Sequence, residues 1–134
     1  MSTHPDSLVL VANHEPAVLG LLTTVLTAAG YRVAAVRGPD RYTELLADPG
    51  HGFDAAVLAE PSARDLLAAR AGRPGLPVVV TAASLDPGVA EAIAADPHAC
   101  LLPKPFRPDE VVRAVADLLG GGGIRAPAGP GRLP

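Results

Sequence analysis

The stretch LVLVANHEPAVLGLLTTVLTAAGYRV, Leu8 to Val33, changes its apolar period twice. It opens on five apolar residues (8–12), too few for a helix and suited to a strand covered on both faces. From Pro16 to Ala29 the apolar side chains Val18, Leu21, Leu22, Val25, Leu26 and Ala29 recur at i, i+3, i+4 and i+7. Thr23, Thr24 and Thr27 lie opposite them, which is the pattern of an amphipathic helix. Pro16 suits the first helical position and Gly30 the stop. A second apolar run, RVAAV (32–36), follows at once. Strand, helix and strand are therefore written into one short segment.

The rest of the chain repeats that grammar. DAAVLA, PVVVTA and ACLL supply strands at 54–59, 77–82 and 99–102. Pro39 opens a helix carrying Tyr42, Leu45 and Leu46, and Ser62 caps one carrying Leu66 and Leu67. Asp86-Pro87 starts one with Ala90, Ile93 and Ala94, and Pro108 one with Val111, Val112, Val115, Leu118 and Leu119. Five strands alternating with five helices predict an α/β fold with right-handed crossovers. The expected form is flavodoxin-like, a doubly wound five-stranded parallel sheet ordered 2-1-3-4-5 with helices on both faces. The domain is expected over residues 7–119. Residues 1–6 read as a disordered N-terminus, and 120–134, GGGGIRAPAGPGRLP, as a Gly/Pro-rich flexible tail or a linker to an output module.

Composition narrows the function. The chain has 134 residues, 49% of them hydrophobic but only 3% aromatic, so the core must be aliphatic. A net charge of −3 with scattered Lys and Arg offers no basic field for nucleic acid or anionic lipid. Cys100 stands alone, which excludes an intrachain disulfide and a cysteine metal site, and its apolar surroundings predict a buried, inert thiol. With neither a secretory signal nor an apolar run of about 20 residues, a cytoplasmic protein is expected.

Ligands on such sheets bind at the carboxyl ends of the strands. The turn after the first strand, ANHEPAVLG, lacks the G-x-G-x-x-G that lets backbone approach a pyrophosphate. It also fails the D-x-H-x-x-G pattern of cobalamin carriers, and neither a P-loop nor G-x-S-x-G occurs. His4, His14, His51 and His98 stand on separate segments and do not converge as zinc ligands. The remaining candidates are Asn13, His14 and Glu15 after strand one, Ala59 and Glu60 at strand three, Thr81 or Ala82 at strand four, and Lys104 after strand five.

In their order and spacing, LVLVANHEP, FDAAVLAE, LPVVVTA and LLPKPF resemble the receiver (CheY-like) domain of two-component response regulators, over about residues 7–119. The resemblance implies a flavodoxin-like fold and, in a working member, an aspartate at the end of strand three that accepts a phosphoryl group. Mg²⁺ held by that aspartate and an acidic pair, together with a Lys and a Thr, would gather the phosphoryl charge. Here the acceptor position is Ala59 and the acidic pair is Asn13-His14, leaving Glu15 as the remaining carboxylate. Mg²⁺ requires hard oxygen ligands, so its binding is expected to be weak or absent. The threonine slot falls on Thr81 or Ala82, depending on whether Pro103 is an extra residue. Only Lys104 is kept; family members often hold this Lys-Pro bond cis. Cys100, Leu101 and Leu102 occupy the place of the aromatic switch. The segment between Ala59 and Pro77 is about five residues shorter than the family's.

The expected function is thus a non-enzymatic pseudo-receiver, signalling without phosphorylation by protein–protein interaction. Its partner would be a sensor kinase, a regulator or a second copy, met through helix four, strand five and helix five. Two alternatives remain. One is a small-ligand sensor in the vacated acceptor pocket, with Asn13, His14, Glu15 and Lys104 as its polar groups. The other is an unconventional phosphoacceptor at Glu60 or His14. A one-residue step along a strand reverses the side chain, which places Glu60 on the face away from Ala59.

Overall fold

A computed structural model describes residues 7–48, 50, 52–84 and 86–121 of the chain. The elements alternate as β1 (Leu8–Ala12), α1 (Pro16–Ala28), β2 (Arg32–Val36), α2 (Pro39–Ala47), β3 (Ala55–Ala59), α3 (Ala63–Gly72), β4 (Val78–Ala82), α4 (Pro87–Ala94), β5 (Ala99–Pro103) and α5 (Pro108–Gly121). The strands pair in parallel in the order β2-β1-β3-β4-β5. This is the flavodoxin-like, doubly wound sheet that the periodicity predicts.

The alternation of each central strand divides the core in two. Leu10, Ala56, Leu58 and Val80 pack under Tyr42, Leu45 and Leu46 of α2 on one face. Val9, Val11, Val57 and Val79 pack under Leu22 and Leu26 of α1 and Val111 and Val115 of α5 on the other. Because both faces are covered, the inner strands are apolar throughout rather than alternating.

Local chemistry sets the helix ends. Gly30, at φ 102°, ends α1: its N–H donates to the Thr27 carbonyl, and the Tyr31 N–H reaches back to Leu26. That is a Schellman stop, which favours glycine. Ser62 Oγ accepts from the Asp65 N–H, and the Asp65 carboxylate accepts from the Ser62 N–H, a reciprocal capping box on α3. The short connection after α3 is tied down by Arg70, which pairs with Asp96 at 2.7 Å and donates to the Arg73, Pro74 and Leu76 carbonyls.

Three expectations need correction. Leu21 is 48% exposed, and Leu19 takes its place beside Leu22 and Leu26. The apolar arc of α1 is wider than the stripe the sheet can cover, so periodicity alone leaves its rotation open. Leu67 is 70% exposed while Leu66 faces the core. Helix α5 continues to Gly121, two residues beyond the expected domain end at 119. The expected N-terminus (1–6) and the remainder of the tail (122–134) lie outside the described residues.

Candidate functional site

The carboxyl ends of β1, β3, β4 and β5 are neighbours, so the residues that follow them share one edge. Asn13 continues the ladder beyond β1, its N–H donating to the Val36 carbonyl at 3.1 Å, and it is only 3% exposed. Its Oδ1 accepts the Glu15 N–H at 2.9 Å, a turn that delivers the chain to Pro16 and α1. A backbone N–H can only donate, so the amide oxygen is fixed toward Glu15. The Nδ2 group is left buried without a partner. His14 and Glu15 are exposed. The turn thus buries one polar side chain and solvates the other two.

Ala59 ends β3 and lies directly opposite Thr81 of β4. In-register neighbours of a parallel sheet share a face, so Thr81, not Ala82, stands beside Ala59. Ala82 belongs to the opposite alternation, with Val80. Thr81 is fully buried and its Oγ1 has no hydrogen-bond partner. One residue from β5 matters here: Ala82 pairs with Pro103, and the Lys104 N–H donates to the Ala82 carbonyl. The missing N–H of Pro103 therefore faces the free edge, where a sheet tolerates proline. The Lys104–Pro105 peptide is cis.

Glu60 departs from the parity expectation. It follows the last residue of β3, and its φ of 51° places it in the left-handed region rather than in the strand. That conformation costs a non-glycine residue on the order of 1 kcal/mol. Its backbone N–H still donates to the Thr81 carbonyl at 2.8 Å. Its Oε2 accepts from Lys104 Nζ at 3.1 Å and from the Ala83 N–H at 3.2 Å. Desolvation opposes the charge of Glu60, but the hydrogen bonds from Lys104 and Ala83 and the charges of Lys104 and His14 outweigh it, and its carboxyl stays below the ordinary range. One carboxylate thereby links the ends of β3, β4 and β5.

The oxygen donors at this edge are few. Mg²⁺ needs a near-octahedral set of oxygens. The edge offers a methyl group at Ala59, an amide whose oxygen is engaged, an imidazole, the Glu60 carboxylate already paired with a lysine, the Asp65 carboxylate engaged in the α3 cap, and the exposed Glu15. Among the described residues, no three His, Cys, Asp or Glu side chains converge on a metal position. At Cys100, burial and the nearby charge of Asp117 push the thiol up to about 11, which keeps it protonated.

A cavity of about 230 Å³ opens beside Ala59, lined by Asn13, His14, Arg37, Tyr42, Glu60 and Asp65 among others. The expected ligand-sensing set is therefore only partly assembled. Asn13 and His14 line the space, whereas Glu15 and Lys104 do not. Arg37 and Tyr42 escape the sequence reading because no local motif marks them, and Asp65 because its only local motif is the capping box of α3. The one available signal is the hydroxyl of Tyr42 within an otherwise aliphatic stripe.

No protein-family model and no curated protein matches the chain. Solved structures do. A response regulator receiver protein from Sinorhizobium medicae WSM419 is 26% identical, with a TM-score of 0.74 over 86% of this chain and 95% of that one. A CheY-like receiver domain from Methanospirillum hungatei JF-1 is 17% identical, with a TM-score of 0.75 over 86% and 94%. The beryllofluoride-activated NtrC receiver domain is 23% identical, with a TM-score of 0.71 over 87% and 97%. The chain has the receiver, CheY-like fold. No helix of the described residues of this receiver-like domain is long and apolar enough to cross a membrane.

Proposed function

We propose that this receiver-like domain signals without aspartyl phosphate and without Mg²⁺, as a non-enzymatic module that works through protein contacts. The observation that carries this reading is the engagement of Lys104 by Glu60 beside an alanine. Phosphoryl transfer needs a nucleophile and unneutralised positive charge around the equatorial oxygens. A methyl group is not a nucleophile, and Lys104 already has a carboxylate against it. The same pairing argues against Glu60 as an acceptor in its own right, because its carboxylate is held by the lysine that would have to stabilise the phosphoryl oxygens. The proposed output surface is α4, β5 and α5, where the edge strand leaves Leu101 38% exposed. A sensor kinase, a regulator or a second copy would bind there.

The test is an amide spectrum recorded with Mg²⁺ plus beryllofluoride or acetyl phosphate. No saturable change is expected. Saturable shifts clustered at Ala59, Ala83 and Lys104 would overturn the reading. Sedimentation over a range of concentrations, for the wild type and Leu101→Lys, tests the second copy as partner.

A further inference from the structure

A cleft of about 210 Å³ opens between α3 and α4, away from the strand ends discussed above. Its floor is the buried pair Leu76 and Val78, and its walls include Leu66 of α3 and Ile93 of α4. Arg70 and Asp96 also line it, but they are paired with each other at 2.7 Å, and Arg70 is further held by three loop carbonyls. The cleft therefore presents an apolar surface with no free charge. Beside it stands Leu67, which at 70% has the greatest exposure of any large apolar side chain among the described residues. An exposed apolar knob next to an unfilled apolar cleft marks an interaction surface.

The two helices lie side by side and run in the same direction. Ala63 is level with Gly88, where an added Cβ would meet the Ala63 Cβ at 3.9 Å, and Arg70 is level with Asp96. Leu67 is therefore level with Ala92 and Ile93, and Arg64 lies within one turn of the level of Glu91. Arg64 and Glu91 are both exposed, and neither has an ion pair or hydrogen bond among the described residues. The remaining outward positions are small: Ala68 and Ala71 on α3, Ala94 and Ala95 on α4.

We propose that this face binds a second copy of the chain, with a two-fold axis running along the cleft. Such an axis lays α3 of each copy over α4 of the other. Leu67 then enters the mouth of the opposite cleft, and Arg64 meets the opposite Glu91. A two-fold interface requires one patch to carry both the knob and the hole, and both signs of charge, so that each match is made twice. Here the two walls of one cleft carry them. The alanines let the helices approach closely. The outward faces of α3 and α4 measure about 15 Å by 20 Å. The dimer would bury on the order of 1,000 Å² in all, the lower limit of a specific interface, so association is weak and reversible. The proposal goes beyond the signalling reading and does not depend on it, since this face leaves β5, α5 and Leu101 free.

The test is sedimentation of the whole chain from about 20 µM to 1 mM, with amide spectra recorded over the same dilution. At the lower limit of interface size, a dissociation constant between about 10 µM and 1 mM is expected, with dilution shifts at Leu67, Ala68 and Ala71 and from Glu91 to Ala95. Leu67→Glu should abolish association with an unchanged circular dichroism spectrum, while Leu101→Lys leaves it intact. Arg64→Glu and Glu91→Arg should each weaken the dimer at least threefold, and the double reversal should return it to within twofold of the wild type. A chain that stays monomeric at 1 mM would overturn the proposal and leave the cleft to a different partner. So would a dimer lost in Leu101→Lys but kept in Leu67→Glu, or a double reversal no tighter than the single ones.

Discussion

Lys104 and Glu60 stand 44 residues apart in sequence and 3.1 Å apart in the fold, and the same Glu60 oxygen accepts the Ala83 N–H. The side chains are 24% and 35% exposed, so solvent screens the pair and its net contribution is at most about 1 kcal/mol. Its value is positional, because one charge holds three loops. Glu60→Gln keeps the shape and removes the charge. It should lower stability by no more than about 1 kcal/mol, and Lys104 should become more mobile by relaxation of its side-chain resonances.

The sign of the pH dependence follows from the lowered pKa of Glu60. A carboxyl that is more acidic when folded adds stability above its unfolded pKa, near 4.3, and loses that contribution as pH falls through its folded value. Urea midpoints of the wild type should therefore decline more steeply below about pH 4.5 than those of Glu60→Gln. Parallel acid limbs for the two proteins would show that the ion pair is not formed in solution.

Thr81 offers the opposite case. Its hydroxyl is fully buried, faces Ala59 across the ladder, and finds no partner. Valine has nearly the same shape without the polar atom, so Thr81→Val should be neutral or stabilising, by about 1 kcal/mol. The urea midpoint reads this directly, and a loss of more than 1 kcal/mol would mean that the hydroxyl has a role in the folded state.

The architecture was legible because it is written in period and punctuation. The apolar runs matched β1 and β2 residue for residue, and Pro16, Pro39, Pro87 and Pro108 each marked a helix start. The site was legible only where backbone carries it. Ala59 and Asn13 follow from strand ends, and the Thr81–Ala82 ambiguity needed the β3–β4 register, which no single strand contains. Glu60 was misplaced because alternation holds only while the chain remains extended, and at φ 51° it has left the strand. Arg37, Tyr42 and Asp65 meet through tertiary packing of α2 and α3 against the sheet edge, and linear spacing holds no record of that.

The environment of Cys100 predicts slow chemistry. With the thiol pushed up to about 11, roughly one molecule in a thousand carries a thiolate at pH 8. Iodoacetamide labelling of the native protein at that pH should run about 100-fold or more slower than labelling of free cysteine, and denaturant should remove the difference. Native labelling within tenfold of free cysteine would contradict the burial of this thiol on β5.

Restoring the acceptor alone should not restore phosphoacceptor chemistry. In Ala59→Asp the new carboxylate enters beside Glu60, which already holds Lys104, and the Asn13 oxygen stays committed to the Glu15 N–H. The added like charge raises the pKa of one of the two acids and destabilises the fold by on the order of 1 kcal/mol. Mg²⁺ still lacks its oxygen shell, so amide spectra of Ala59→Asp should show no saturable beryllofluoride adduct. The combination Asn13→Asp, His14→Asp, Ala59→Asp and Glu60→Gln supplies three carboxylates and frees Lys104, and it should form the adduct in a Mg²⁺-dependent manner. An adduct in the single variant would mean that Glu60 yields Lys104 readily and that the alanine is the sole barrier. Failure of the fourfold variant, if it is folded, would place the barrier in the shortened connection between Ala59 and β4.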